Sequence, residues 1–183
     1  MKKTLIVVAH PNIEKSVVNQ CWINELKKHP EQFTVHELYK AYPDGRINIE
    51  QRLVEHHESL VLQFPVYWFN CPPLLKQWLD EVFLYGWAYG SSGDKLKNKK
   101  IALAVTAGID LADYTANGRY KFTMEEVLRP FEITIKYVGA EYVSHFAFYG
   151  TEHNPTSEVI NESAVDYIKY LAKLNYSELA IIN

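Results

Sequence analysis

A chain of 183 residues with 48% hydrophobic content can bury one sizeable core, and we expect a single domain over 1–183. A net charge of −3 and a pI near 6.2 leave no global positive field, so nucleic acid is excluded as an expected partner. Cys21 and Cys71 are the only cysteines, and no run of roughly 18 apolar residues occurs; a disulfide framework, a thiolate metal site and a membrane span are therefore not expected, and a reducing cytoplasm fits best.

The first expected element is a strand over Leu5 to Ala9, a nearly unbroken apolar run of the kind that parallel strands covered on both faces require. The start of the chain resembles a secretory leader only superficially, because this run is short and stops at His10-Pro11. Val18, Trp22 and Leu26 then recur at helical spacing, which predicts a helix from Val17 to His29 with Ser16 as its cap. Phe33 to Leu38 alternates, as a strand nearer a sheet edge does. A weaker helix is expected near Ile49 to His57. Leu60 to Phe64 reads as another fully covered strand and runs into Pro65-Val-Tyr-Trp-Phe69.

Pro72 and Pro73 suit a first helical turn, and Leu74, Leu75, Trp78, Leu79, Val82 and Phe83 supply its apolar stripe. The lysines between Lys95 and Lys100 read as a solvated turn before a strand over Ile101 to Val105. A helix from Thr123 to Phe131, a β-rich stretch from Ile133 to Phe148 broken by Gly139, and a last helix from Ser157 to Leu174 complete the pattern. Strand and helix alternate throughout, which predicts an α/β fold: a doubly wound, five-stranded parallel sheet with helices on both faces. In the flavodoxin-like order 2-1-3-4-5 the switch point lies between the first and third strands, where such sheets bind ligands.

Those two strands carry the unusual loops. The first, His10 to Asn19, opens a helix whose leading amides lack partners, and free amides with the helix dipole attract phosphate. His10, Ser16 and Asn19 can add side-chain donors. Neither a P-loop nor a dinucleotide glycine fingerprint occurs in the chain. Taken alone, Ser16 is as readily a plain cap and His10 a plain strand-end residue.

The second loop, Pro65, Val66, Tyr67, Trp68 and Phe69, can flank or floor an isoalloxazine. Such a cluster is as readily core, and its place at the carboxyl edge of the sheet tips the reading towards a site. The third loop, Thr106, Ala107, Gly108 and Ile109, can close over the pyrimidine side, where backbone donors would stabilise negative charge. Tyr114, Arg119 and Tyr120 are the candidate polar groups facing a substrate. Together the loops point to a flavin nucleotide. Cys71 reads as packing, His56-His57 as a solvated face, His145 and His153 as isolated, and the glycosylation-like motifs at Asn161 and Asn175 as without meaning in a cytoplasmic chain.

Ala9-His10-Pro11 with Ser16-Val-Val-Asn19, Tyr42-Pro43-Asp44, Gln63 to Phe69, Pro72 to Trp78 and Tyr85-Gly-Trp-Ala-Tyr-Gly90 occur in this order between about Lys3 and Gly150. In these motifs the chain resembles the flavodoxin-like NAD(P)H:quinone oxidoreductases, within them the short bacterial group that includes general stress protein 14 and the ancillary protein of glutathione-gated potassium efflux. The resemblance implies a cytoplasmic homodimer with two flavin sites, each formed partly by the partner subunit. It assigns phosphate binding to His10, Ser16, Val17, Val18 and Asn19. It lays the ring against Val66, Tyr67, Trp68 and Phe69, and against Thr106, Ala107, Gly108 and Ile109.

FMN is expected rather than FAD, because the longer carboxyl-terminal extension of the FAD-using animal relatives is missing. NAD(P)H is the implied donor and a quinone the implied acceptor, in ping-pong order. Two departures stand out. Ala107 replaces a glycine of many members, which would alter ring contact; and the animal relatives' Tyr falls near Tyr114 while their His falls on Arg119 or Tyr120. A rival reading from the same resemblance is a regulatory subunit of a potassium efflux transporter, peripheral at the inner face of the membrane. A one-electron carrier is disfavoured, since such carriers are usually more acidic and use a Thr/Ser-rich phosphate loop.

Overall fold

The computed structural model describes residues 3–47 and 50–175. Ile49, the expected start of the weaker helix, lies outside them, as do the leader-like Met1-Lys2 and most of the motif at Asn175. The strands are β1 (Thr4–Val8), β2 (Phe33–Glu37), β3 (Ser59–Pro65), β4 (Lys100–Thr106) and β5 (Glu141–Phe148). The helices are α1 (Val17–Leu26), α2 (Leu38–Ala41), α3 (Gln51–Glu55), α4 (Pro73–Val82), α5 (Met124–Val127), α6 (Arg129–Tyr137) and α7 (Ser157–Asn175). All strand pairs are parallel and the five-stranded order is β2-β1-β3-β4-β5, as the apolar runs predict.

Successive side chains on a strand point to opposite faces, so the continuous runs of β1 and β3 feed two cores at once. Leu5 and Val7 pack on the side that holds Trp78 and Phe131, while Ile6 and Val8 pack on the side that holds Trp22 and Tyr167. Each such aliphatic side chain contributes roughly 1.5–3 kcal/mol by leaving water. The indole of Trp22 lies 5.3 Å from the ring of Phe146 and 4.8 Å from that of Tyr167, which locks α1 and α7 onto one face. Because every strand runs the same way, the carboxyl ends of β1, β3, β4 and β5 share one rim. Val8 is level with Gln63, and Pro65 with Thr106.

Two expectations are corrected. Residues 133–137 are not strand but the second half of α6. Ile133-Thr134-Ile135 favours strand locally, yet Phe131, Ile135 and Val138 are buried while Ile133 and Tyr137 are exposed, which is helical spacing. The phenyl of Phe131 packs 5.1 Å from that of Phe64 on β3, and tertiary packing outweighs the local preference. Gly139, with φ 73°, ends the helix in a conformation that suits glycine. His57 is also buried rather than on a solvated face: its Nδ1 pairs with the Leu53 carbonyl at 2.7 Å and its Nε2 with Thr34 Oγ1 at 2.8 Å. Among the described residues no helix is long and apolar enough to cross a membrane.

Candidate functional site

At the rim between β1, β3 and β4 lies an open cavity of about 530 Å³. One end is built by the start of α1. Ser16 caps that helix, its Oγ accepting from the Asn19 amide at 3.3 Å. The amides of Val17 and Val18 precede the first intrahelical donor and have no partner among the described residues. Ser16, Val17 and Val18 line the cavity, and Lys15 stands beside them with no ion pair among the described residues.

His10 completes this end. Its Nδ1 accepts from the Asn12 amide at 3.1 Å, so in the neutral ring the proton sits on Nε2, ready to donate. Burial pulls this imidazole below its usual range, which keeps it neutral until an anion arrives. The whole end is thus a set of donors with little to accept from them.

The rest of the lining comes from the ends of β3 and β4. Pro65, Val66 and Tyr67 form one wall, Thr106 and Gly108 the next, and the Val66 amide donates to the Thr106 carbonyl at 2.8 Å to hold the two walls together. Beyond Tyr67 the chain turns sharply, and Trp68 and Phe69 both take positive φ, 49° and 58°. Bulky residues rarely adopt that conformation, and such strain clusters at functional sites. Trp68 is 95% exposed and is not part of the cavity lining.

A fourth segment, not foreseen, closes the site. The loop after β5 is zipped onto the loop after β4 by Thr151 N–H to Ala107 O and Glu152 N–H to Gly108 O, both at 3.1 Å, and by His153 Nδ1 2.9 Å from Asp110 Oδ2. It brings Thr151, Glu152, Asn154 and Pro155 to the cavity. The carboxylate of Glu152 lies against Gly108 so closely that a Cβ there would meet its Oε1 at 2.6 Å. The same carboxyl-edge rule that singled out the other loops, applied to β5, would have found this one.

Of the residues expected at a phosphate, His10, Ser16, Val17 and Val18 line the cavity and Asn19 does not. Asn19 is 1% exposed, turned away to bond Thr106 Oγ1 at 2.9 Å and Ser16 Oγ at 3.2 Å. Of the ring set, Pro65, Val66, Tyr67, Thr106 and Gly108 line it. Ala107 is buried behind the wall with an ordinary φ, its amide bonded to the Phe148 carbonyl, so the position needs no glycine. Ile109 is partly buried and packs against the core.

Tyr114, Arg119 and Tyr120 stand outside the cavity lining, and so do the expected ring residues Trp68 and Phe69. Tyr120 meets the Phe69 ring edge-on at 5.0 Å, Tyr114 lies 5.2 Å from Tyr120, and the Arg119 guanidinium is 5.8 Å from the Tyr120 ring centre. Tyr114 is buried, and burial first, then Tyr120, Asp113 and Glu152, push its hydroxyl above the usual phenol range. Residues missed by sequence reading include Asn12, Lys15 and the β5 loop. Gln63 was missed as an organiser of the site, although one amide inside an otherwise apolar strand was the available signal. Among the described residues no cluster of His, Cys, Asp or Glu is placed to hold a metal.

Residues 2–171 match the sequence profile of the flavodoxin-like fold family. The NAD(P)H oxidoreductase YrkL of Bacillus subtilis is 47% identical over 171 residues, which cover 91% of this chain and 98% of YrkL. Among solved structures, the general stress protein 14 of Treponema denticola in complex with FMN superposes with a TM-score of 0.91 at 54% identity, covering 94% of this chain and 99% of that one. The NADPH-quinone reductase of P. pentosaceus superposes with a TM-score of 0.85 at 28% identity, covering 96% and 99%.

Proposed function

The chain belongs to the flavodoxin-like fold family, and on that premise we propose that it is an NAD(P)H oxidoreductase that holds FMN in the β1–β3–β4 cavity and reduces a quinone or similar flat acceptor. The observation that carries the reading is the polarity of the cavity. The amides of Val17 and Val18, the Ser16 hydroxyl, the His10 ring and the Lys15 ammonium gather where α1 begins, while Val66, Tyr67 and Gly108 wall the cavity from the ends of β3 and β4, the Tyr67 ring meeting that of His10 edge-on at 6.5 Å. An aryl group on a polyol phosphate matches both groups of residues. The chemistry that FMN supplies when bound is two-electron transfer, hydride from NAD(P)H at N5 and then onward to the acceptor in ping-pong order.

The chain's own residues bind, orient and shield. His10, Ser16, Val17, Val18 and Lys15 grip the phosphate. Val66 and Tyr67 support one part of the ring, and Gly108, with Glu152 packed where its side chain would be, lends its backbone to the facing wall. Tyr120 and Arg119 meet the second substrate, while buried Tyr114 supports Tyr120 from behind. The exposed aromatics Trp68 and Tyr85 are surface that a second copy of the chain would cover in a homodimer.

The test is an absorbance spectrum of the purified protein, or of the apoprotein given FMN, with flavin bands near roughly 370 and 450 nm that bleach when NADPH is added without oxygen. Parallel double-reciprocal lines with NADPH and a benzoquinone are expected. A colourless protein with saturating FMN would overturn the reading, and converging lines would overturn the ping-pong order.

A further inference from the structure

A hydroxyl has one proton and two lone pairs, so what it accepts decides where it donates. Ser16 Oγ accepts twice from Asn19, from the backbone amide at 3.3 Å and from Nδ2 at 3.2 Å. Thr106 Oγ1 accepts from the same Nδ2 at 2.9 Å. The two hydrogens of one buried amide are thus shared between two hydroxyls, one at the cap of α1 and one at the end of β4. Neither hydroxyl proton has a protein acceptor among the described residues, and both residues line the cavity.

The orientation of the Asn19 amide is set from behind. Gln63 Nε2 donates to Asn19 Oδ1 at 3.2 Å, and Tyr167 OH donates to Gln63 Oε1 at 3.3 Å. Gln63 and Tyr167 are fully buried. The Tyr167 ring is stacked 5.3 Å from Phe146 with 22° between the planes and cannot swing aside.

We propose that Tyr167, Gln63 and Asn19 form a one-way hydrogen-bond relay that aims the hydroxyl protons of Ser16 and Thr106 into the cavity, and that Tyr167, remote on α7, is a positioning residue for the phosphate of the bound flavin nucleotide. The proposal rests on the flavin reading of the cavity. Turning both amides over would keep as many bonds but send lone pairs into the cavity. The end of the chain decides between the two states. In the reversed state Tyr167 would accept from Gln63, and its own proton would be left in an apolar core with no acceptor among the described residues. An orphaned buried donor costs its full desolvation, whereas an unfilled lone pair on the same oxygen is tolerated. The forward polarity wins, and each bond polarises the next towards an incoming anion.

The experiment titrates the flavin-stripped full chain with FMN and with riboflavin, reading flavin fluorescence, for wild type, Tyr167→Phe, Ser16→Ala and the double variant. Tyr167→Phe is expected to raise the FMN Kd about tenfold and to change riboflavin binding much less, because the relay acts on the phosphate. In the Ser16→Ala background the effect of Tyr167→Phe on FMN should shrink, since only the Thr106 branch of its route to the phosphate is left.

Equal losses for the two flavins, or fully additive single effects, would reduce Tyr167 to packing and overturn the relay. If Tyr167→Phe does not fold, 3-fluorotyrosine at position 167 keeps the ring and strengthens the donor; FMN binding should tighten, and an unchanged Kd overturns the relay. A wild type that binds neither flavin overturns the reading of the cavity itself, which is a different failure.

Discussion

Tyr67 and Asn70 exchange two backbone hydrogen bonds, the Tyr67 amide giving to the Asn70 carbonyl at 2.8 Å and the Asn70 amide to the Tyr67 carbonyl at 3.0 Å. Trp68 and Phe69 sit between them with φ of 49° and 58°, the backbone that such a turn normally reserves for Asn-Gly. Two bulky residues there cost about 1 kcal/mol or more each. What the strain secures is an indole presented to solvent and a phenyl ring held against Tyr120. Replacing the pair as Trp68→Asn with Phe69→Gly is expected to raise stability by about 1 kcal/mol after the lost aromatic contact is subtracted, with quinone turnover falling. A urea midpoint that drops would show that packing, not strain, dominates this turn.

Glu50 is the knot behind the site. Its carboxylate receives Trp78 Nε1 at 2.6 Å and the Tyr42 hydroxyl, and lies 2.7 Å from His36 Nε2, tying the segment after α2 to α4, which directly follows the aromatic turn. Desolvation pushes the carboxyl up, but the bonds from His36, Tyr42 and Trp78 outweigh it and hold it below the usual range. Glu50→Gln puts an N–H against one of these donors and should cost about 1.5–3 kcal/mol, read as a lower urea midpoint at unchanged slope. A shift of only a few tenths would mean that solvent replaces the carboxylate.

Stability should fall on mild acidification. Burial pulls His57 below the ordinary imidazole value, Leu53's carbonyl opposes this, and the charges of Lys99, Lys3 and His56 assist it. The folded state therefore takes its proton at lower pH than the unfolded chain does. The stability this ring contributes is complete above about pH 6.5 and is lost as pH falls through the folded value. His10 and His145 are lowered by burial in the same direction. The thermal midpoint should drop between about pH 7 and 5.5, and His57→Gln, which does not titrate, should drop less over that interval. Equal slopes for the two proteins would assign the effect elsewhere.

Gly108 is required by approach rather than by φ. An added Cβ would meet Glu152 Oε1 at 2.6 Å and Cδ at 2.7 Å, but that carboxylate is exposed and can swing, and it already lines the cavity. Gly108→Ala should therefore leave the unfolding midpoint nearly unchanged and weaken FMN by about tenfold. Shortening the neighbour with Glu152→Ala in the same chain should restore part of the affinity. Failure of that rescue would place the clash on the ring itself.

The strands were legible because a parallel strand covered on both faces must be apolar without interruption, a local property: β1, β3 and β4 are each found within a residue of the predicted runs. The donor-rich part of the cavity was legible for a similar reason, since capping by Ser16 and free amides at Val17 and Val18 follow from where α1 begins. Residues 133–137 misled because a β-branched triplet looks the same whether a strand or a buried helical face receives it. Packing against residues far away in sequence, such as Phe64 on Phe131, selects the helix.

The amino-acid order by itself determined the covered strands β1, β3 and β4 and the three loops that follow them to the carboxyl rim, but not the helical state of residues 133–137. Tertiary structure alone decided which way each residue of those loops faces. Asn19 turns inward because Thr106, 87 positions later, and Gln63, held by Tyr167 a further 104 positions on, offer it partners there. Trp68 stands exposed at the tip of the turn that the Tyr67–Asn70 bonds close, and the loop after β5 enters the site because β5 pairs beside β4. Periodicity is written over a few neighbouring residues, whereas the direction of a side chain is settled by groups that only the folded chain brings within a few ångströms.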